Sequence, residues 1–305
     1  MSGSDTPKRR YAIEGHGFEA PPLETGLYIV STPIGNLRDV TLRALQVLAG
    51  ADLVACEDTR VTRVLLNHYG IATSLLAYHE HNAEEQRPRL LAVLGEGKSV
   101  ALVSDAGTPL VSDPGFRLVG AVAEAGHKVV PIPGASAILS GLVTAGLPTD
   151  AFLFAGFLPT KTVARKKRIA ALAGVPATLV FYESPHRTAD ALADLSETLG
   201  AERPAVLARE LTKMFETVRR GTLGSLAAEL ATEPTPKGEI VLLVGPPEES
   251  APDASDLDAL LESLLAELPV KEAAQRAAAA TGLPRRDLYQ RALALKAGDE
   301  HGGAD

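Results

Sequence analysis

Short apolar runs alternating with segments of helical spacing constrain this chain more than any other feature. Between residues 27 and 132 the runs fall at 27–31, 53–56, 75–78, 100–103 and 128–132. The stretches between them carry apolar residues at helical spacing, as in Leu42, Leu45 and Leu48. Strands joined by helices in this way build right-handed βαβ units around a mostly parallel sheet. In such a sheet, ligands are held by the loops that leave the carboxyl ends of the strands.

A second alternation follows. Pro131, Pro133 and Gly134 mark a hinge, and residues 135–145 read as a helix of small residues. Strands are then expected at 152–155, 178–182, 205–208, 216–219 and 239–244, and helices at 164–173, 188–199 and 223–231. This half is a second α/β domain, with mixed strand directions allowed. Pro246-Pro247-Glu248-Glu249 breaks the pattern as a linker. Residues 254–297 change character. Leu257, Leu260, Leu261, Leu264, Leu265 and Leu268 mark one apolar helix face, residues 270–280 are rich in alanine, and Thr281-Gly282-Leu283-Pro284 makes a tight turn before a third helix. Helix, short glycine-containing turn, helix is the helix-turn-helix pattern. The fold class is therefore α/β: a domain over 26–133, another over 134–248, and a helix-turn-helix-like module over 254–297, behind a polar leader, 1–25, expected to be disordered.

Composition narrows the possibilities. The 305 residues are 46% hydrophobic, enough for sizeable cores. Charges interrupt every apolar run before it reaches membrane-spanning length. The leader lacks the apolar centre of a secretion signal. A single cysteine, Cys56, allows no intrachain disulfide and no cysteine zinc cluster, which fits a reducing cytoplasm; within its apolar run it reads as a buried filler. A net charge of −8 argues against coating nucleic acid non-specifically, though not against gripping RNA through local basic patches. Two such patches stand out. Residues 161–168 hold five basic residues and no acid, and the last two helices hold four arginines and two lysines against Glu272 and Asp287. Both read equally as solvated helix faces.

Ser104-Asp105-Ala106-Gly107-Thr108-Pro109 follows one of the apolar runs and precedes Asp113-Pro114-Gly115, which reads as a helix start. An acid, a glycine and a proline at a strand end suit a ligand loop: Asp105 accepts hydrogen bonds and Gly107 permits close backbone approach. No G-x-x-x-x-G-K-[ST] phosphate loop occurs. Comparable strand-end segments are Thr32-Pro33-Ile34-Gly35-Asn36, Pro133-Gly134-Ala135-Ser136-Ala137, Phe181-Tyr182-Glu183-Ser184-Pro185-His186-Arg187, Arg209-Glu210-Leu211-Thr212-Lys213 and Lys237-Gly238-Glu239. Tyr78-His79-Glu80-His81-Asn82 offers two histidines without a partner cluster, so no metal site is assigned. Asn82 with Glu85 has the spacing of a helix capping box.

In that order and at those spacings, the strand-end segments resemble the tetrapyrrole-methylase-like class of S-adenosylmethionine-dependent methyltransferases. Within it they are most similar to the ribosomal RNA small-subunit methyltransferase I family, over roughly residues 26–297. The resemblance implies two α/β domains with the S-adenosylmethionine cleft between them. It also implies methyl transfer to the ribose 2′-hydroxyl of a cytidine in 16S RNA, with 16S rRNA or the small ribosomal subunit as partner, in the cytoplasm and as a homodimer. Pro33, Asp105, Ala106, Gly107, Ser136, Ala137, Tyr182, Gly238 and Glu239 are the expected cofactor-binding residues. A 2′-hydroxyl is a poor nucleophile and needs a base or a cation nearby. Glu183, His186 and Lys213 are the catalytic candidates, drawn from a wider set of charged strand-end residues. Lys161, Arg165, Lys166, Lys167 and Arg168, with Arg285, Arg286 and Arg291, are the candidate RNA contacts. The competing readings are a tetrapyrrole or protein-side-chain methyltransferase of the same fold, and a non-catalytic nucleic-acid-binding regulator.

Overall fold

The computed structural model describes residues 9–111, 115–248 and 254–301. They divide into two compact units, before and after Pro246–Pro247. The first unit opens with a hairpin, β1 (Arg10–Ile13) and β2 (His16–Glu19), paired antiparallel. This corrects the disordered leader for the residues described. Glu14 and Gly15 both have positive φ, 49° and 82°, the requirement of a two-residue primed turn. Tyr11 stacks on Phe18 at 5.3 Å and is buried with Leu45 and Leu48 in one core cluster. A polar, glycine-rich composition concealed one buried aromatic with a stacking partner.

The first sheet contains β3 (Gly26–Val30), β4 (Leu53–Cys56), β5 (Leu75–Ala77), β6 (Ser99–Val103) and β7 (Val129–Ile132), in the order β5-β4-β6-β3-β7. Every pairing is parallel. The connecting helices are α1 (Leu42–Gly50), α2 (Thr59–His68), α3 (Ala83–Gly95) and α4 (Phe116–Glu124). β3 is buried throughout, and its residues alternate between two cores: Tyr28 and Val30 in one, Leu27 and Ile29 in the other. A parallel sheet covered on both faces needs such continuous apolar strands. Gly115 precedes α4, while Asp113 and Pro114 lie outside the described residues. Asn82 stands at the start of α3, but the expected capping box does not form. Its Oδ1 accepts from the His79 backbone N–H at 2.9 Å and its Nδ2 donates to the Ala77 carbonyl, so the side chain closes the preceding turn.

Helix α5 (Ala137–Ala145) leads to the second sheet: β8 (Phe152–Phe157), β9 (Thr178–Glu183), β10 (Pro204–Arg209), β11 (Thr217–Thr222) and β12 (Ile240–Val244). Its order is β11-β10-β12-β9-β8; only β8 and β9 run parallel. β12 is buried at every residue, with Val241 and Leu243 packing toward Ile138 and Leu142 of α5. Gly141 permits that approach, since a Cβ there would sit 3.2 Å from Val241 Cγ1. Helices α6 (Thr162–Ala170), α7 (Thr188–Leu199) and α8 (Leu223–Thr232) complete this half. Arg165 of α6, expected on an RNA-binding face, is buried instead. Its Nε donates to Asp194 of α7 at 2.6 Å and its Nη1 to the Thr160 carbonyl. Four-residue spacing from Arg165 to the buried Ile169 puts that arginine on the face of α6 turned toward α7 rather than solvent.

The second unit contains α9 (Ala254–Leu265), α10 (Val270–Thr281) and α11 (Arg285–His301), around Leu257, Leu261, Ala274, Ala277, Leu288 and Ala292. Gly282, at φ +71°, ends α10 in the left-handed conformation that a tight interhelical turn requires. Arg291 is held by both carboxylate oxygens of Asp258, at 2.5 and 2.8 Å, so this expected RNA contact is engaged within the module.

Removing Asp194 would strand the buried Arg165 charge. Asp194→Ala is expected to cost about 3–5 kcal/mol of stability, whereas the double change Arg165→Met, Asp194→Leu costs much less. Urea denaturation followed by circular dichroism measures both.

Candidate active site

The carboxyl ends of the first sheet and one edge of the second enclose a cavity of about 470 Å³. Asp105 to Thr108 line it from the loop after β6, and Ser136 and Ala137 from the start of α5. The second half contributes Tyr182 to Pro185 at the end of β9 and Gly238 to Val241 at the start of β12. Eight of the nine expected cofactor-binding residues thus meet in one space; Pro33 is the exception.

Backbone geometry explains why those loops hold their shape. Thr32 and Gly107 exchange hydrogen bonds of 2.8 and 3.1 Å, tying the loop after β3 to the loop after β6. Gly107 has φ +77°, and a Cβ there would lie 3.3 Å from Ile34 Cγ2. Asp105 Oδ1 accepts from the Asp58 backbone N–H at 3.0 Å, and the Asp58 side chain caps α2 by accepting from the Arg60 backbone N–H at 2.7 Å. Ser136 Oγ caps α5 through a longer contact of 3.5 Å from Leu139 N–H while also facing the cavity. Phe154 and Phe157 meet the Tyr182 ring edge-on, at 4.8 and 5.7 Å, and Phe157 and Tyr182 form one apolar wall.

At the rim lies a charged cluster. Lys213 Nζ donates to Glu210 Oε1 and to Glu239 Oε2, both at 2.7 Å. Glu210 Oε1 also accepts from the Glu239 backbone N–H at 3.0 Å. The Lys213 stem runs against Gly35 of the other half, where a Cβ would fall 2.3 Å from Lys213 Cγ. Gly238 is similarly required: its φ is +90°, and a Cβ would sit 2.1 Å from Glu210 Oε1. Glu210 and Thr212 have φ of 54° and 67°, left-handed values unusual for residues with side chains. Burial works against the Lys213 charge, but the two carboxylates outweigh it and raise its pKa, so it is a cation at neutral pH. The hydrogen bond from Lys213 holds the Glu210 carboxyl below its ordinary 4.5, with burial opposing.

The other two catalytic candidates stand differently. Glu183 lines the cavity, but its side chain is wholly buried and its oxygens are engaged: Oε1 accepts from Ser184 N–H at 2.8 Å, and Oε2 from Arg187 Nη2 at 3.3 Å. Burial raises its pKa against those partners. A second cavity, of about 350 Å³, adjoins the first, and Pro33 and Lys213 line it. His186 sits on a short 3₁₀ turn and lines neither of the two. Glu210 belongs to the wider set of charged strand-end candidates but not to the three chosen from it. Strand pairing could have singled it out: Arg209 pairs with Ile240 in antiparallel register, which sets Glu210 and Glu239 side by side.

Of the expected RNA contacts, Lys161, Lys167, Arg168, Arg285 and Arg286 are exposed. Lys166 is paired with Glu197 at 2.6 Å. His79 and His81 have ring centroids 6.0 Å apart, and among the described residues no group of three or more His, Cys, Asp or Glu is placed to hold a metal. No helix among the described residues is long and apolar enough to cross a membrane.

Comparison with known proteins places this architecture. Residues 26–227 match the Tetrapyrrole (Corrin/Porphyrin) Methylases, and residues 251–296 match the RsmI C-terminal HTH domain. The chain is 59% identical over 286 residues to the ribosomal RNA small subunit methyltransferase I of Mesorhizobium japonicum, covering 93% of this chain and 97% of that one. It belongs to the ribosomal RNA small subunit methyltransferase I family. The enzyme of that name from Pseudomonas aeruginosa is 49% identical, over 88% of this chain and 96% of its own. Among solved structures, a cobalt precorrin-4 methyltransferase shares the fold at 21% identity, with a TM-score of 0.56 over 72% of this chain and 95% of that one. A member of the ribosomal RNA small subunit methyltransferase I family is a methyltransferase, so the non-catalytic regulator is set aside.

Glu210 gives the cluster a pH signature. A depressed folded-state pKa contributes stability above the unfolded value and loses it as pH falls through the folded value. The stability difference between the wild type and Glu210→Gln is therefore expected to be full at neutral pH. It shrinks as pH drops below about 4.5, the unperturbed glutamate value. Thermal melts from pH 7 to pH 3 test this; a constant difference would contradict the ion pair.

Proposed function

We propose that this chain transfers a methyl group from S-adenosylmethionine to the ribose 2′-hydroxyl of a cytidine in 16S ribosomal RNA, in the cytoplasm and as a homodimer. Relatives named for the small ribosomal subunit support the substrate class. The resemblance carried by the strand-end segments supports the hydroxyl, the base and the dimer. The observation that carries the chemistry is the Lys213 ammonium, clamped between two carboxylates at the rim of the cavity that Glu239 lines.

The cavity fits the cofactor. Its volume lies within the usual range for ligand sites. Gly107 and Gly238 lack side chains where one would press on Ile34 and Glu210, which lets their backbone line the cavity directly. Asp105 would accept hydrogen bonds from cofactor hydroxyl or amino groups, and the backbone at Ala106, Gly107, Ser136, Ala137 and Gly238 would let the adenosine approach. Phe157 and Tyr182 would supply the apolar wall. S-adenosylmethionine, when bound, supplies a methyl group on a positively charged sulfur, which keeps the electron pair of the broken carbon–sulfur bond.

The protein's own contribution is to the acceptor. Lys213, charged at neutral pH, favours the developing alkoxide. Glu239 is the more exposed of its two carboxylates, 69% against 18% for Glu210, and takes the hydroxyl proton. Glu210 anchors the lysine. Glu183 serves from behind by fixing Arg187 and the Ser184 turn rather than by moving the proton. Lys161, Lys167 and Arg168, with Arg285 and Arg286, contact RNA phosphates.

Transfer of labelled methyl groups to small subunits that lack the modification, with nuclease mapping of the 2′-O-methyl nucleotide, tests the reading. No incorporation into RNA, with incorporation into a tetrapyrrole, would overturn it. Lys213→Met is expected to lower kcat by about 10²–10³-fold, the loss typical of one electrostatic donor, with the cofactor Kd unchanged. Replacing Lys167 and Arg168 with alanine is expected to flatten the plot of log affinity against log salt by roughly 0.7–0.9 for each phosphate no longer neutralised. Titrations of RNA at several salt concentrations measure that slope.

A further inference from the structure

The cavity of about 350 Å³ beside the cofactor cavity holds Pro33 and the wall the two share, and the rest of it is not needed for the cofactor. The two share Ile34, Asp105, Ala106 and Glu239, so they meet along a common wall. On that border stand the Lys213 ammonium and the Glu239 carboxylate, 2.7 Å apart. The far side is aliphatic: Leu37 from the loop after β3, and Val61, Val64 and Leu65 from α2. Val61 and Val64 are 44% and 64% exposed, large apolar side chains left in solvent on a helix that begins beside the site. α2 cannot drift from the site, because Asp58 caps its N-terminus and donates its backbone N–H to Asp105. The exposed Arg63 adjoins Val64 and has no ion pair with the described residues.

We infer that this second cavity receives the acceptor, one RNA nucleotide turned out of its stack, with its base against Val61, Val64 and Leu65 of α2 and its ribose at the Lys213–Glu239 border. The inference rests on the reading of the chain as an RNA 2′-O-methyltransferase. Enzymes that act on a base extrude its nucleotide into a pocket, and the same extrusion would carry a ribose hydroxyl into a recessed cleft. An aliphatic wall suits the face of a base, and a cation–carboxylate pair suits a hydroxyl. A shared wall is the arrangement that brings the hydroxyl in the second space to a methyl donor in the first. A second copy of the chain or a bound peptide would explain the exposed valines but not the charged pair on the border.

The experiment uses the full chain with unmodified small ribosomal subunits. In one arm a photo-crosslinking benzoylphenylalanine replaces Val64, and the crosslinked nucleotide is mapped with S-adenosylhomocysteine present. In the other arm, Val64→Asp is assayed for its KM for subunits and its cofactor Kd. Val64 is exposed, so the variant is expected to fold, and circular dichroism checks this. The expected result is a crosslink at the methylated nucleotide or an immediate neighbour, a KM raised about tenfold or more, and an unchanged cofactor Kd. Should the wild type methylate RNA while the crosslink maps elsewhere and KM stays within about twofold, the pocket assignment is overturned and the proposed function survives. Should the wild type fail to methylate RNA at all, the underlying reading fails and the pocket falls with it.

Discussion

One ammonium group joins the two halves of the first unit. Lys213 belongs to the second half by sequence and by both of its carboxylate partners, yet its stem lies against Gly35 of the first. The surroundings accommodate that placement. Gly35 and Gly238 lack side chains where one would collide, and Glu210 and Thr212 accept left-handed backbone angles that cost of order 1–3 kcal/mol each. Strain of this kind persists only where the surroundings fix it. Here they do so through β10 and β12, two fully hydrogen-bonded neighbours in the middle of a sheet.

The two sheets contribute to the site in different ways. The parallel sheet supplies loops that all leave from the same edge, a consequence of strand direction. The mixed sheet supplies the end of one strand and the start of another, because β9 and β12 run antiparallel. Tyr182 and Val241 are cross-strand partners in that register, which is how residues about sixty positions apart come to line one cavity. The cavity is thus framed by hydrogen-bond ladders on both sides, with the loop after β6 tied to the loop after β3 through Thr32 and Gly107.

Much of this was legible in the sequence. The ten expected strands occur within two or three residues of their places, since buried strands between turn residues leave a periodic trace. Eight of nine expected cofactor-binding residues fall in one cavity: five follow strands of the parallel sheet, whose loops converge at one edge, and Tyr182, Gly238 and Glu239 meet them from the antiparallel β9–β12 pair. What escaped was partnership. Arg165 reads as one more charge in a basic run until α7 sets Asp194 against it. Glu183 reads as a free acid although both its partners, the Ser184 N–H and Arg187, lie in the same segment, because only the turn after β9 folds them back onto it. Pairings across elements depend on helix rotation and strand register, and no local window of sequence contains either.

The N-terminal hairpin bears on where this enzyme can be cut. The family match begins at residue 26, downstream of β2. Yet Tyr11 and Ala20 are buried in the same cluster as Leu45, Leu48 and Tyr69, and the Ala12 N–H donates to the Tyr69 carbonyl at 2.7 Å. Arg9 adds an ion pair to Asp52 at 2.6 Å. A boundary drawn at the start of the family match would therefore shear off a cover over α1 and bare Leu45, Leu48 and Tyr69 on that face. The smallest piece that keeps this core covered therefore starts at β1, about sixteen residues before the family match begins.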